Sequence, residues 1–163
     1  MNEPDPLLIS HSTVQEYNDR YNVSCYGSAD GRIRLDNITG GHNYAGYTYD
    51  WSLVSGTNAP NPSNRDQFDL SAGIYAVTVR DSLNCAVSDT FELVQPDEIM
   101  INAEVSESFD GLYNLNCYGE NNGYIIIHPS GGDTLDSGYQ FRWQPGSDEG
   151  ELHDLSAGSY IIS

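Results

Sequence analysis

Residues 69–79 read DLSAGIYAVTV, a glycine-containing turn that leads into alternating Tyr75, Val77 and Val79. An alternation with a period of two, in residues that are β-branched or aromatic, predicts a β-strand with one buried face. Here that face carries Tyr75, Val77 and Val79, with smaller or polar residues between them. The stretch therefore predicts a late strand of a β-sheet protein, entered through a tight turn.

The same stretch occurs again 85 positions later, where residues 154–163 read DLSAGSYIIS. A second match has an offset of 92 positions: residues 21–27 read YNVSCYG and residues 113–119 read YNLNCYG. The difference between the two offsets places a loop seven residues shorter in the second copy. An internal repeat predicts an array of like modules, in which an active site confined to one place is less expected.

The repeat sets the domain boundaries at residues 4–95 and 96–163. Ile161–Ser163 align with Ala76–Thr78, so the second copy has no counterpart of Val79–Gln95. We therefore expect a fragment of a longer array, in which the second module lacks its C-terminal strands. Such a module should expose a sheet edge and be the less stable half of the chain.

Helix-favouring residues never accumulate, whereas short β-branched or aromatic runs recur between turn signals. Leu70, Gly73 and Tyr75 resemble the tyrosine corner of immunoglobulin-like sandwiches, in which the phenol bonds to the backbone upstream. The predicted fold is all-β: two tandem immunoglobulin-like β-sandwich modules, the second truncated. Trp51 is the predicted core anchor, and the loop from Val54 to Asn64 should cross between sheets. The clearest runs are Gly31–Leu35, Tyr47–Trp51, Ile74–Val79 and Phe91–Val94.

Charge excludes two classes of partner. The chain has 24 acidic and six basic residues, a net charge of −18. Such a surface repels phosphate backbones and anionic headgroups, which argues against binding to nucleic acid or to a membrane surface. No apolar run approaches the roughly twenty residues that span a bilayer, so membrane insertion is not expected.

The three cysteines fit the repeat. Cys25 and Cys117 are equivalent, while the position equivalent to Cys85 lies beyond residue 163. The simplest account is a disulfide between Cys25 and Cys85, with Cys117 unpaired, and it favours an oxidising, exported setting. The alternative is a pair of buried free thiols.

The chain resembles tandem SprB repeats, the modules of very large surface adhesins of gliding Bacteroidetes. The resemblance covers nearly the whole chain and depends on the combined spacing of its parts. These are Cys25–Gly27, Asp30–Gly31, Gly40–Gly41, Tyr47–Ser52, Leu70–Val79, Asn84–Cys85 and the linker Gln95–Asp97.

The resemblance implies a secreted, extracellular protein of the bacterial cell surface, exported by type IX secretion, with a role in adhesion or gliding motility. The repeats would then be spacers of a stalk. Their partners would be neighbouring repeats of the same chain, and surface polysaccharide or a substratum. Asp81–Leu83 and Asp133–Leu135 also resemble an acidic O-glycosylation motif of that phylum.

No catalytic motif is found. The four histidines, at positions 11, 42, 128 and 153, have no metal-pair spacing, and there is no nucleophile elbow or phosphate loop. We therefore predict that the chain is not an enzyme and has no cofactor.

The alternative function is a carbohydrate- or calcium-binding β-sandwich module of a secreted protein. No calcium loop of the Asp-x-Asp-x-Asp-Gly type occurs, so the candidates for calcium are the linker residues Asp97 and Glu98. For a sugar ring the candidate is Tyr44, because alternation places Tyr47 and Tyr49 in the core.

Overall fold

A computed structural model describes residues 3–134, 138–144 and 146–163. These residues form eleven β-strands and no helix, and every strand pair is antiparallel. The predicted all-β class is confirmed. The chain divides into two compact units, Met1–Asp97 and Glu98–Ser163, called here the first and second units.

The first unit contains six strands in two sheets. They are β1 (Leu8–Val14), β2 (Gly31–Thr39), β3 (Thr48–Gly56), β4 (Gln67–Leu70), β5 (Gly73–Arg80) and β6 (Ala86–Leu93). One sheet has the order β1-β2-β4 and the other the order β3-β5-β6. The segment between β3 and β4 therefore crosses from one sheet to the other, as predicted, although β3 runs three residues into the predicted loop, to Gly56.

Alternation along β2 gives that strand its two faces. Ile33 and Leu35 are fully buried, whereas Arg32 and Arg34 between them are exposed. Successive side chains of a strand point to opposite faces, and each buried aliphatic side chain contributes about 1.5–3 kcal/mol of transfer free energy. The predicted inward and outward residues of this strand are confirmed.

Two aromatic residues with polar ends anchor the core of the first unit. Trp51 is 3% exposed, and its ring centroid lies 5.8 Å from that of Phe91. The indole N–H of Trp51 donates to the carbonyl of Asn64 at 2.8 Å. The hydroxyl of Tyr75, which is fully buried, donates to the carbonyl of Ser71 at 2.8 Å, the upstream bond that the tyrosine-corner resemblance implies. Both buried polar atoms are thereby satisfied.

The second unit contains five strands: β7 (Met100–Val105), β8 (Gly123–Ser130), β9 (Trp143–Gln144), β10 (Glu151–Leu155) and β11 (Ile161–Ile162). One sheet has the order β7-β8-β10 and the other pairs β9 with β11. This order matches that of the first unit strand for strand, but among the described residues no strand takes the place of β6.

The local bonds of the first unit recur in the second. The indole N–H of Trp143 donates to the carbonyl of Glu149 at 2.8 Å, and the hydroxyl of Tyr160 donates to the carbonyl of Ser156 at 2.9 Å. These partners are the repeat equivalents of those in the first unit. Burial does not recur to the same extent, because Tyr160 is half-buried whereas its equivalent Tyr75 is fully buried.

Candidate functional site

The turn between β5 and β6 is organised around the carboxylate of Asp81. One of its oxygens accepts the backbone N–H groups of Leu83 at 2.9 Å and Cys85 at 2.8 Å, and the other accepts that of His42 at 2.7 Å. The His42 N–H contributes most to holding the pKa of Asp81 below its usual value, and the Cys85 and Leu83 bonds add to it, against the opposing effect of burial. A carboxylate with three donors is a turn-forming group rather than a free acid.

This turn holds the loop between β2 and β3 in place. The N–H of Ala45 donates to the hydroxyl of Ser82 at 2.9 Å, and the N–H of Ser82 donates to the carbonyl of His42 at 3.1 Å. At the end of the loop, the hydroxyl of Tyr47 donates to the carbonyl of Gly40 at 2.9 Å. The loop is therefore fixed at both ends and in the middle.

Tyr44 projects from this loop and is 91% exposed. Tyr47 and Tyr49, in contrast, are half-buried and pack against the core. An exposed aromatic face on a fixed backbone can stack on an apolar ring surface with little ordering cost, because tyrosine has only two side-chain torsions. The ligand role predicted for Tyr44 therefore has an accessible surface.

A second polar group orders the segment before β2. The hydroxyl of Tyr17 donates to Asp30 at 2.9 Å, and the backbone N–H of Ser24 donates to the other oxygen of Asp30 at 3.1 Å. Burial raises the pKa of Asp30, but the bonds from Ser24 and Tyr17 outweigh it, so the pKa lies below the usual value. The bonds close a loop over residues 24–30.

The model of the SprB repeat family matches residues 21–56, from this ordered segment to the end of β3. The chain carries an SprB repeat. The matched residues include Asp30, the anchored loop with Tyr44, and the core residue Trp51. The SprB repeat indicates a surface adhesin-type repeat of Bacteroidetes. Within the described residues no helix is long and apolar enough to cross a membrane.

Two further comparisons found no match to the chain. No curated protein matches the chain. No solved structure matches it either.

The disulfide predicted for the SprB repeat is not formed, and that prediction is wrong for this structure. Cys25, Cys85 and Cys117 are all free, and all are exposed, so the alternative of buried thiols is wrong as well. Asn22 and Val23, just before Cys25, bond to Val94 after the end of β6, whereas Cys85 precedes its start. The two cysteines therefore lie near opposite ends of β6, which spans about 24 Å at about 3.4 Å per residue. A disulfide requires the two cysteine Cα atoms to lie within roughly 7 Å of each other.

No metal site is evident among the residues that the structure describes, which contain no group of three or more His, Cys, Asp or Glu side chains able to hold an ion. Asp97 ends the first unit and Glu98 begins the second, and both are exposed. Calcium at these two residues stays a prediction. Melting with calcium and with a chelator tests it, and Asp97→Asn with Glu98→Gln should abolish any calcium-dependent rise in Tm.

Three of the four histidines form exposed pairs with single carboxylates. His11 lies 3.8 Å from Asp36, His128 lies 3.7 Å from Glu104, and His153 lies 3.2 Å from Glu151. All six side chains of these three pairs are at least partly exposed. Such pairs are common on acidic surfaces and are worth little individually.

Sequence reasoning missed one polar clamp on β2. Arg65 donates through Nε to the carbonyl of Leu35 and through Nη2 to that of Asp36, both at 2.7 Å, and Asp66 accepts the N–H of Leu35 at 3.1 Å. The signal was the Arg-Asp pair at the end of a polar loop. It became informative only when the fold placed that loop beside β2.

The two motifs that resemble O-glycosylation sites have different outcomes. In the first, Asp81 is explained by its role in the turn, and Ser82 is exposed while its hydroxyl accepts a bond from Ala45. In the second, Leu135 lies outside the described residues. Glycosylation therefore stays a prediction at both places.

Proposed function

We propose that the chain consists of two tandem immunoglobulin-like β-sandwich modules, residues 4–95 and 96–163, that act as spacers in the stalk of an exported bacterial adhesin. The match of the SprB repeat family to residues 21–56 carries the proposal. The modules serve gliding motility or surface attachment after type IX export. They work mechanically, without enzymatic activity or a cofactor, beside neighbouring repeats of the same chain.

The strand arrangement of the first unit suits a spacer. The chain enters through β1 in one sheet and leaves through β6 in the other, so tension on the two ends loads both sheets. Strands β5 and β6 pair from Gly73 with Leu93 to Arg80 with Ala86 without a register shift. Many ladder bonds must then yield together with the buried core before the unit lengthens.

Single-molecule pulling on the full chain by its two termini tests this function. We expect a discrete rupture of the first unit that releases about 300 Å of chain, from about 90 residues at about 3.5 Å each. Trp51→Ala should lower the rupture force, because it removes the core anchor. Extension of the wild-type chain at low force without a discrete event would contradict the spacer function.

A second function has a specific observation in its favour. Tyr44 is 91% exposed on an anchored loop, which fits stacking on a sugar ring of a surface polysaccharide. Glycan-array binding that Tyr44→Ala abolishes and that Tyr118→Ala leaves unchanged would favour this alternative. Tyr118 is a matched control, because it is fully exposed and lies in the second unit. No binding by the wild-type chain would leave the spacer as the function.

A further inference from the structure

The second unit has an open, mainly apolar cavity of about 910 Å³. Its apolar lining includes Leu115, Ile125, Leu155 and Tyr160. These side chains are only half-buried. Their repeat equivalents in the first unit, Val23, Ile33, Leu70 and Tyr75, are buried to 1% exposure or less.

The first unit shows what covers this face. Leu93 of β6 is 2% exposed and packs so closely that a Cβ placed on Gly31 would lie 2.5 Å from its Cδ2 atom. The same Cβ would lie 2.8 Å from the carbonyl oxygen of Leu70 and 3.3 Å from Val23. Phe91, two residues before Leu93, fills the neighbouring space against Trp51.

The equivalent glycine of the second unit has the same neighbours except for the leucine. A Cβ placed on Gly123 would lie 2.9 Å from Leu115 and 3.0 Å from the carbonyl oxygen of Leu155. These residues are the equivalents of Val23 and Leu70. The space that the Leu93 side chain fills in the first unit therefore corresponds to part of the cavity in the second unit.

Among the described residues, the sheet edge beside the cavity also lacks a partner strand that the first unit has. In the first unit β5 pairs with β3 on one edge and with β6 on the other, and the N–H groups of Asn22 and Val23 donate to the carbonyl of Val94 at 2.7 and 3.2 Å. In the described part of the second unit, β11 pairs with β9 on one edge alone. The outer strand β7 is exposed at every position. Its equivalent in the first unit, β1, is half-buried at three of its seven positions.

We propose that this cavity binds one extended peptide strand of the β6 type: an acidic segment in which an aromatic residue and a leucine lie two positions apart. The strand adds antiparallel to the free edge of β11, and its Phe and Leu side chains enter the cavity as Phe91 and Leu93 enter the core of the first unit. Main-chain bonds supply affinity, and the two alternate side chains supply specificity. The inference depends on the comparison of the two units and is independent of the spacer function.

A synthetic peptide with the sequence of residues 86–95, AVSDTFELVQ, tests the site by hydrogen exchange of the full chain. We expect saturable protection of Gly123–Ile127 and of Tyr160–Ser163, by about 100-fold at a peptide concentration 100 times Kd. Gly31–Leu35 should not change, because β6 already covers that face. The control peptide carries Phe91→Ala and Leu93→Ala, which keep its charge and length.

A second arm joins residues 79–95 genetically after Ser163, which raises the effective concentration of the strand. Protection of the second unit in either arm, lost with the two alanines, supports the site. Equal protection by the native and alanine sequences in both arms, or none, overturns it. Protection of the chain alone that disappears on dilution would identify a second copy as the occupant and would also overturn it.

Discussion

Replacement of Tyr75 by phenylalanine isolates the contribution of one buried hydroxyl. The phenol oxygen donates to the carbonyl of Ser71 at 2.8 Å, Tyr75 is fully buried and Ser71 is 7% exposed. Tyr75→Phe keeps the ring and removes the donor, so the Ser71 carbonyl loses this partner where water does not reach. The expected loss is about 1–3 kcal/mol in the free energy of unfolding of the first unit.

The chain contains its own control. Tyr160 makes the same bond to Ser156 at 2.9 Å, but Tyr160 is only half-buried and Ser156 is exposed. In Tyr160→Phe, water replaces the lost donor, so we expect a change within about 0.5 kcal/mol. The two substitutions remove the same atom from the same local motif and differ in burial.

Hydrogen exchange with peptide resolution separates the two units in the full chain. A loss of about 1–3 kcal/mol corresponds to about 5- to 150-fold faster exchange for amides of β5 that open through unfolding of the unit. In Tyr160→Phe, the amides of β8 should exchange within about 2.5-fold of the wild type. Equal effects of the two substitutions, or a Tyr75→Phe change within about 0.5 kcal/mol, would refute the reasoning that burial sets the value of this bond.

Three further results are expected. Asp81→Asn should lower the Tm of the first unit at neutral pH, and the difference in Tm from the wild type should shrink as the pH falls below about 4. The reason is that a carboxyl group whose pKa is lowered in the folded state stabilises the fold above its unfolded pKa and loses that effect on protonation. A difference in Tm that does not depend on pH would contradict this prediction. Gly31→Ala should cost about 1–3 kcal/mol by forcing Leu93 and the Leu70 carbonyl aside, and Gly123→Ala should cost less, as measured by exchange in each unit. Amides of β8 should exchange faster than those of β2, because the core of the second unit is open, and equal protection of the two strands would count against this explanation.

Much of the fold follows from local sequence. A strand has a side-chain period of two, so the alternation through Ile33 and Leu35 determined which face of β2 is buried. The turn with Gly73 before Tyr75 likewise predicted the phenol bond, because donor and acceptor lie four residues apart. Interactions of this range depend little on the rest of the chain.

The arrangement of the cysteines could not be predicted from local sequence. Their repeat spacing was compatible with a bond, but spacing contains no distance, and the structure places Cys25 and Cys85 at opposite ends of β6. The role of Asp81 could not be predicted from local sequence either, because one of its donors, the backbone N–H of His42, is 39 residues away and lies in another loop. Contacts of this separation are set by how the two sheets stack.

The sequence by itself determined an all-β chain with a repeated pattern, because periodicity and turn residues act over a few positions. The tertiary structure decided how deeply each repeated residue is buried. Leu70 and Leu155 share the same neighbours in sequence, yet the first is 1% exposed and the second is half-buried. The physical reason is that burial requires a covering element: β6 supplies Phe91 and Leu93 in the first unit, and no described strand supplies them in the second.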